Sequence, residues 1–266
     1  MNTKIASILG LLLAGSLAAQ ASVITFDSQA DYDDYFTGSA PVAYNNTQGG
    51  LYFTGADTRY LFVGNEDYDP GEFLTETVSM TFSLSNFNST PSVSLMIRAS
   101  DEATFGSRTG IMGMAYVNST STVRLRFGYG QVNGSPLNGT LYPYDISTTG
   151  LSIAANTIFN LSLSQRNITV SGEERAEVRL VLSNAATSVV YADTNWLSHA
   201  AYANYADPGN IGMRIYPGAG ANSANVTVHS FGPVPEPVPE PSTYALLGGV
   251  LLAGALALRR QKASGM

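Results

Sequence analysis

The sequence predicts an all-β domain built as a sandwich of two packed antiparallel sheets. Apolar residues recur at every second position in several short runs, which is the period of a strand with one buried face. Clusters of Gly, Asn and Pro separate these runs, as turns do. No stretch between residues 22 and 232 keeps a helical period for three turns. Many short alternating strands joined by such turns are typical of a β-sandwich.

The alternating runs place the strands in order along the chain. Residues 77–85 read TVSMTFSLS, in which apolar side chains alternate with hydroxyl side chains. Five later segments have the same period, and a strand is predicted at each: 123–129, 159–163, 176–182, 211–215 and 226–231. We expect the apolar set of every strand to face the inside of the sandwich.

The first 21 residues have the pattern of a secretory signal peptide. Lys4 precedes an apolar run from Ile5 to Leu17, and Ala19 and Ala21 form an Ala-x-Ala exit. A charged start, a short apolar core and small residues at the cleavage site are typical of such leaders. The alternative is a buried N-terminal helix, which the small-residue exit does not favour. We therefore expect export, through the Sec machinery, of a mature chain that starts near Ser22.

Composition narrows the classes of function. The chain has no cysteine, which excludes disulfides and thiolate metal sites. Residues 22–241 contain nine arginines and twenty carboxylates, a net charge of −11. That balance argues against a nucleic-acid partner, which requires clustered basic side chains. Residues 22–231 are long enough to form one large β-domain with its own core.

The C-terminal end is divided into three parts. Residues 232–241 have proline at every second position from Pro233, which predicts a stiff extended linker of roughly 30 Å. Residues 242–258 carry no charge and predict a single helix about 25 Å long, short for a membrane crossing of about 30 Å. Arg259 and Arg260 open a basic tail, 259–266, that favours a cytoplasmic location for that end.

These three parts together resemble the PEP-CTERM protein-sorting signal. The segment PEPSTYALLGGVLLAGALALRRQK, residues 239–262, has a Pro-Glu-Pro motif, a hydrophobic helix and a basic end in that order. The resemblance implies an exosortase-type membrane enzyme as partner, in a Gram-negative bacterium that makes extracellular polysaccharide. It implies a sorting motif of Pro239, Glu240, Pro241, Arg259 and Arg260. A second Pro-Glu-Pro copy at 235–237 leaves open which copy is read; the later one abuts the helix, as the family pattern requires.

The main domain resembles the laminin-G and concanavalin-A-like jelly rolls. The resemblance rests on three segments: VITFDSQADYDDYF (23–36), GGLYFTG (49–55) and NIGMRIYPGAGANSANVTVHSFG (210–232). It implies a jelly-roll sandwich with carbohydrate as the ligand class. Glucanases of this type carry Glu-x-Asp-x-x-Glu on a strand, and that motif does not occur in the sequence. No catalytic residue is therefore predicted.

An acidic segment at residues 65–76 is the candidate metal site. Asn65, Asp67, Asp69 and Glu76 have the spacing of positions one, three, five and twelve of a calcium loop. Pro70 stands where such a loop needs glycine. The alternatives are a Ca²⁺ site of another type and a plain solvated acidic loop. No other cofactor is expected.

Aromatic and basic side chains are the remaining candidates for ligand binding. Trp196, Tyr202 and Tyr205 lie close together in sequence, either as rings that stack on sugars or as packing at the edge of the sandwich. Arg124 and Arg126 share one face of a strand, either to bind a polyanionic sugar or to pair with Glu177 on a neighbouring strand. His229 is predicted to be a solvent-facing strand residue.

Two functions remain open at this point. The first is a non-enzymatic sandwich, sorted to the cell surface or extracellular matrix after transient anchoring in the membrane, that binds or structures extracellular polysaccharide. The second is a secreted carbohydrate-active enzyme, a glycoside hydrolase or polysaccharide lyase. A glycan-binding measurement run beside a turnover assay separates them.

Overall fold

The structure, a computed structural model of the full chain, describes residues 24–28, 30, 36–38, 43–45, 49–54, 59–63, 77–87, 90–100, 109–131, 144–205, 209–218 and 224–234. The chain divides into two compact units, Met1–Val234 and Pro235–Met266, and every described residue belongs to the first. The predicted signal helix and transmembrane helix lie outside the described residues. Within those residues, no helix is long and apolar enough to cross a membrane.

The described residues form an antiparallel two-sheet sandwich, as predicted. In chain order the strands are β1 (Ile24–Thr25), β2 (Phe36–Gly38), β3 (Ala43–Asn45), β4 (Gly50–Phe53), β5 (Arg59–Val63), β6 (Thr77–Leu84), β7 (Ser92–Ala99), β8 (Thr109–Ser119), β9 (Thr122–Gln131), β10 (Tyr144–Thr148), β11 (Ile158–Val170), β12 (Glu173–Asn184), β13 (Val190–Asp193), β14 (Leu197–Ser198), β15 (Asn210–Tyr216) and β16 (Val226–Val234). A short 3₁₀ helix, Ala200–Tyr205, precedes β15.

The strands divide into a nine-stranded and a seven-stranded sheet. The nine-stranded sheet has the order β13-β12-β11-β6-β16-β4-β3, with β1 paired to β16 and β14 paired to β12. The seven-stranded sheet has the order β10-β9-β8-β7-β15-β5-β2. Neighbours in space are often distant in sequence, as β6 and β16 are, so the fold depends on long-range pairing.

The core lies between the sheets and contains the predicted apolar faces. Burial alternates along β11 and β12 with the period seen in the sequence. Phe82 and Phe159 stack at the centre, with ring centroids 5.2 Å apart. Gly113 lies where a Cβ would be 2.9 Å from a methyl carbon of Leu180 in the opposite sheet. A glycine there allows β8 and β12 to approach closely.

Strand β7 was not predicted because both of its faces are buried. All eight of its residues, SVSLMIRA, are buried, so no polar alternation marks the strand. Arg98 near its end has a φ of 52°, and its pairing with β15 shifts register there. Its Nε donates to Oε1 of Gln165 in the other sheet at 2.7 Å, and its Nη1 donates to the Tyr205 carbonyl at 2.6 Å. This irregularity turns a cation inward, where it links the two sheets.

The last strand runs past the predicted end of the domain. β16 continues through Gly232 and Pro233 to Val234, whereas the sequence predicts a linker from residue 232. Pro233 lies opposite Val78 of β6, and β1 and β4 pair only with earlier residues of β16. No described strand therefore pairs with the other side of this strand end. A proline nitrogen that faces that side removes no hydrogen bond from the sheet.

Candidate functional site

The outward-facing side of the seven-stranded sheet carries several arginine and tyrosine side chains. On β7, β8, β9 and β15 the residues that alternate with the core residues point away from it. They include Ser92, Ser94, Met112, Met114, Tyr116, Arg124, Arg126, Arg214 and Tyr216. We call this side the outer face of the seven-stranded sheet.

An ion-pair cluster lies at one edge of this outer face. Asp145 on β10 is opposite Arg126 of β9. Arg126 donates to Oδ2 of Asp145 from Nε at 3.0 Å and contacts it through Nη2 at 2.9 Å. Arg124 binds both oxygens of the same carboxylate. Two guanidinium groups therefore share one carboxylate.

The ion pairs keep Asp145 charged. Hydrogen bonding from Arg124 is the main cause that lowers the pKa of Asp145; burial opposes it, and Arg126 adds to it. A carboxyl with a lowered pKa is a poor proton donor near neutral pH. Asp145 is therefore a fixed anion that orients the guanidinium groups of Arg124 and Arg126.

A tyrosine extends the cluster toward the middle of the sheet. The guanidinium carbon of Arg126 lies 5.5 Å from the ring centroid of Tyr116 on β8, within the range of a cation–π contact. We call Tyr116, Arg124, Arg126 and Asp145 the arginine cluster. Between about a fifth and a third of each of its three charged side chains is exposed: 35% for Arg124, 21% for Arg126 and 31% for Asp145.

Further along the same face the side chains are buried. Nη1 of Arg214 on β15 donates to Oγ of Ser92 at 3.0 Å, and its guanidinium carbon lies 5.8 Å from the ring centroid of Tyr216. Arg214 is 4% exposed, Ser92 1% and Met114 0%. These side chains are therefore far less exposed than the charged side chains of the arginine cluster.

On the outer face of the nine-stranded sheet, hydroxyl groups contact one another across β6, β11 and β16. Thr77 contacts Ser164 at 2.8 Å and Thr81 contacts Ser230 at 2.6 Å, hydroxyl to hydroxyl. His229 belongs to this network as a half-buried bridge rather than the plain solvent-facing residue predicted: its Nε2 lies 3.0 Å from Ser83 Oγ and its Nδ1 lies 2.7 Å from the Gly49 carbonyl. The contact to a carbonyl assigns the proton to Nδ1, so Nε2 accepts from Ser83.

The three predicted aromatic ligand residues are not brought together on a surface. Tyr202 is 0% exposed, and burial raises the pKa of its hydroxyl; a ring so buried cannot stack on a sugar, and this part of the prediction is wrong. Tyr205 is half-buried and packs against the core. Trp196 is half-buried, and the guanidinium carbon of Arg166 lies 4.2 Å from its ring centroid. Packing at the edge of the sandwich is the arrangement observed for Tyr202 and Tyr205.

Tyr202 and its neighbours close the gap between the sheets. The 3₁₀ helix places Tyr202 beside Tyr129 of β9, edge to face at 5.9 Å. His199 stacks on the same Tyr129 ring at 5.4 Å. Tyr144 of β10 donates from its hydroxyl to the Ser198 carbonyl of β14 at 2.7 Å. These contacts join the β9–β10 edge of one sheet to the β12–β14 edge of the other.

The predicted pairing of Arg124 and Arg126 with Glu177 is also wrong. Both arginines bind Asp145, while Glu177 pairs with Arg166 of β11 at 2.5 Å. The physical reason is that Glu177 lies on β12 in the nine-stranded sheet, and Arg124 and Arg126 lie in the seven-stranded sheet. Strand β10 is not predicted from the sequence, because its five residues, YDIST, are too few to show a sustained alternation.

The other predicted site residues lie outside the described residues. These are the candidate metal ligands Asn65, Asp67, Asp69 and Glu76, the cleavage-site residues Ala19 and Ala21, and the sorting residues Pro239, Glu240, Pro241, Arg259 and Arg260. Among the side chains that the structure does describe, no three His, Asp or Glu residues come together as a metal site would require. The Ca²⁺ hypothesis stays a prediction.

Comparison with protein families identifies the C-terminal segment. Residues 237–261 match the PEP-CTERM protein-sorting motif. The match includes the second Pro-Glu-Pro copy, 239–241, and both Arg259 and Arg260. This motif indicates an exported protein with a C-terminal membrane-anchor signal that an exosortase sorts to the cell surface.

Comparison with solved structures identifies the fold of the larger unit. A legume lectin-like domain from Entamoeba histolytica superposes with a TM-score of 0.53 at 8% identity, over 81% of this chain and 97% of that chain. The exoplasmic/lumenal domain of VIP36, in a form bound to Ca²⁺ and Man3GlcNAc, superposes with a TM-score of 0.51 at 10% identity, over 85% of this chain and 95% of that one. No curated protein matches the sequence.

Identities this low establish a shared fold and nothing more. The strand order and the two superpositions both indicate that the sandwich is a jelly roll of the legume-lectin and concanavalin-A-like kind. The chain thus joins a lectin-like β-sandwich to a C-terminal PEP-CTERM sorting motif.

Proposed function

We propose that this protein is a carbohydrate-binding module of the cell surface or extracellular matrix, and that it binds extracellular polysaccharide without cleaving it. In this proposal the Sec machinery of a Gram-negative bacterium exports the chain. The C-terminal helix holds it in the membrane transiently, and an exosortase processes the tail. The delivered part is the β-sandwich.

The observation that carries the proposal is the arginine cluster. It combines two partly exposed guanidinium groups on one face of β9 with a tyrosine ring beside them. Fixed donors around an aromatic surface are the elements from which small polar ligands are recognised. Asp145 is held as an anion by two arginines, which suits a positioning role rather than proton transfer.

The alternative is a carbohydrate-active enzyme on the same scaffold. Retaining and inverting glycosidases need two carboxyl groups, about 5 to 9.5 Å apart, of which one has a raised pKa. The acidic segment 65–76 is the densest group of carboxylates in the sequence and the first place to look for such a pair. Release of reducing ends from a bound polysaccharide, lost on substitution of Glu66 or Asp69, would establish this alternative.

A binding and turnover experiment tests the main proposal. The full-length chain, purified in detergent, is applied to an array of neutral and acidic glycans, and each bound glycan is then assayed for new reducing ends. Binding without release of reducing ends is expected. An array on which nothing binds contradicts the proposal, and so does turnover.

A pair of matched variants tests the sorting step. Glu240→Ala is expected to leave a larger, membrane-retained form in the producing cells, whereas Glu236→Ala, in the upstream copy, is expected to be processed normally. Mass spectrometry of the mature C-terminus measures both. If Glu240→Ala has the wild-type C-terminus, residues 239–241 are not the motif that the exosortase reads.

A further inference from the structure

We infer that Ser83 and His229 form a nucleophile–base pair that hydrolyses small carboxylic esters. The pair lies on the outer face of the nine-stranded sheet, on the neighbouring strands β6 and β16. The inference goes beyond the proposed function, because ester hydrolysis leaves the glycosidic bonds of a polysaccharide intact. It depends on the hydrogen bonds of the pair, on the strand irregularity that positions His229 and on the cavity beside Ser83.

The hydrogen bonds of the pair match those of an activated nucleophile. Oγ of Ser83 lies 3.0 Å from Nε2 of His229, and Nδ1 of His229 lies 2.7 Å from the carbonyl oxygen of Gly49. A carbonyl only accepts, so Nδ1 carries the proton and Nε2 is the acceptor that faces the hydroxyl. A base within hydrogen-bond reach of the nucleophile, and itself oriented by a third group, is the general signature of nucleophilic catalysis.

A bulge in β16 gives His229 this position. The register between β16 and β6 shifts between Val228 and Ser230, so His229 is the extra residue of the bulge. An extra residue of this kind changes the direction of a side chain, and such bulges are over-represented next to active sites. The bulge therefore accounts for the contact between the imidazole and Ser83.

Two glycines hold the other side of the imidazole. Gly49 has a φ of 59°, a left-handed conformation that glycine adopts without strain, and its carbonyl contacts His229. At Gly50, a Cβ would overlap the carbonyl oxygen of Val228. Glycine at this position therefore lets β4 approach the bulged part of β16 closely.

An open cavity beside the pair has room for a small substrate. Its volume is about 250 Å³, and its lining consists of Ser83, Leu84, Ser85, Asn156, Ile158 and His229. Pockets for drug-sized ligands measure about 300–1,000 Å³, so this cavity suits a short ester rather than a long-chain lipid. Nucleophile and base both face this space.

Ile158 and Asn156 give the cavity the other features that an ester requires. Ile158 lies opposite Ser83 on β11 and is 43% exposed, so an apolar side chain flanks the nucleophile on the side away from His229. It offers contact area for the hydrocarbon part of an acyl group. Asn156 is exposed on the wall of the same cavity, and a side-chain amide is one of the donors that stabilise the oxyanion of a tetrahedral intermediate.

The reaction balances with water as the second substrate. Oγ of Ser83 bonds to the acyl carbon of the ester, while Nε2 of His229 takes the hydroxyl proton. The bond between the acyl carbon and the alcohol oxygen breaks, and the alcohol leaves with that proton. The oxygen of a water molecule then bonds to the acyl carbon and gives one proton to Nε2. The bond to Oγ breaks, Oγ takes that proton, and the carboxylic acid is released.

Hydrolysis of p-nitrophenyl acetate tests the inference. The full-length chain in detergent is expected to release p-nitrophenol faster than the same detergent without protein. Ser83→Ala and His229→Gln should each lower kcat/KM about a hundredfold or more, because a positioned base contributes roughly 10²–10⁴ in rate. Glutamine keeps a donor for the Gly49 carbonyl, so this variant removes the base and retains a contact between the strands.

Ser230→Ala is the matched control. Its hydroxyl contacts Thr81 across the same two strands at 2.6 Å and does not belong to the cavity lining. The variant should hydrolyse the ester within about twofold of the wild-type rate, as expected of a site that shares no partner with the pair. Equal rates for wild type and Ser83→Ala would overturn the inference, and so would equal losses in Ser83→Ala and Ser230→Ala.

A covalent label separates catalysis from a purely structural bridge between strands. An alkyl fluorophosphonate reacts with serines that a base activates. Peptide mass spectrometry is expected to find the adduct on Ser83 of the wild-type chain and none in His229→Gln. A wild-type chain without an adduct on Ser83, or equal labelling of the two proteins, would contradict the inference.

A longer ester tests the role of Ile158. In Ile158→Ala, the ratio of the KM for p-nitrophenyl butyrate to that for the acetate should rise about threefold or more, because the longer acyl chain loses apolar contact. An unchanged ratio would contradict this acyl contact. The proposed function is tested separately, since an empty glycan array would remove it and leave ester hydrolysis by Ser83 standing.

Discussion

The two outer faces of the sandwich differ although they cover the same core. The outer face of the nine-stranded sheet carries cross-strand hydroxyl pairs, such as Thr81 with Ser230 at 2.6 Å. That of the seven-stranded sheet carries arginines, tyrosines and methionines, with Asp145 bound by two guanidinium groups. The nine-stranded sheet has arginines too, but Arg166 and Arg179 each pair with a carboxylate of their own, whereas Arg124 and Arg126 share one.

The difference shows which positions the core determines and which it leaves free to vary. Residues that face the core alternate regularly and are buried in both sheets. The outward residues follow no common pattern between the sheets, because the core places no requirement on them. Residues that serve function in this fold should therefore be sought among the outward positions that differ between the two sheets.

The largest effect on stability is expected from a substitution in the core between the two sheets. Phe159 stacks on Phe82 and lies edge to face with Phe87 at 6.5 Å and Tyr191 at 5.9 Å. Phe159→Ala is expected to lower the free energy of unfolding by about 3 to 5 kcal/mol, as the loss of a buried aromatic side chain does. Denaturant unfolding measures it. The adjacent Ile158 is 43% exposed, and Ile158→Ala should cost far less; equal costs would mean that the assigned core face is wrong.

The next largest effect on stability is expected from a variant that removes a charge from the nine-stranded sheet, Asp193→Asn. Hydrogen bonding from Arg179 lowers the pKa of Asp193 below its usual range, with burial opposing it. The ionised form is stabilised by folding, so this contribution is present above the unfolded pKa of about 4 and is lost as the pH falls through the lower folded value. Asp193→Asn should cost about 0.5 to 1 kcal/mol at pH 7, the range for partly exposed ion pairs.

The pH dependence separates this charge effect from a packing effect. The asparagine oxygen can still accept the Asn195 N–H, which donates to Oδ1 of Asp193 at 2.8 Å. The difference between wild type and variant should therefore shrink as the pH falls below the unfolded pKa of about 4 and disappear once the folded wild-type carboxyl is protonated as well. A difference that persists at acid pH would assign the loss to packing.

A smaller effect is expected from the hydroxyl pairs. Thr81→Val and Ser230→Ala, alone and together, form a double-mutant cycle across β6 and β16. The expected coupling energy is about 0.5 kcal/mol, within the range for cross-strand pairs. Thermal unfolding of the four proteins measures it. A coupling energy of zero would mean that the two hydroxyls bond to water rather than to each other.

The smallest effect concerns the single tryptophan. Arg166 covers one face of Trp196 at 4.2 Å and pairs with Glu177. Arg166→Ala should cost less than about 1 kcal/mol in stability, but it should increase acrylamide quenching of the tryptophan fluorescence. An unchanged quenching constant would show that the guanidinium does not cover the ring in solution. Trp196 is the only tryptophan of the chain, so the signal has one source.

The sequence predicted the fold class and six strands well, because regular alternation is visible without a structure. β12 is an example: Ala176, Val178, Leu180 and Leu182 are all 0% exposed. β7 was missed because it is buried on both faces and has no alternation. β10 was missed because it is short and partly exposed.

The candidate site was only half predictable. Arg124 and Arg126 were recognised as a pair from their spacing, since side chains two residues apart share a strand face. Their partner was not, because Asp145 belongs to a strand whose pairing to β9 is set by the sheet order rather than by local sequence. The burial of the Tyr202 ring is not predictable either, because nothing local indicates that the 3₁₀ helix turns it inward.

The position of β16 has a mechanical consequence. The strand that leads into residue 235 is an interior strand, held by β6 on one side and by β4 and β1 on the other over much of its length. Traction on the C-terminal tail is therefore transmitted to the middle of a sheet, where several ladders share the load. A tether attached to an edge strand such as β13 would peel away one bond at a time.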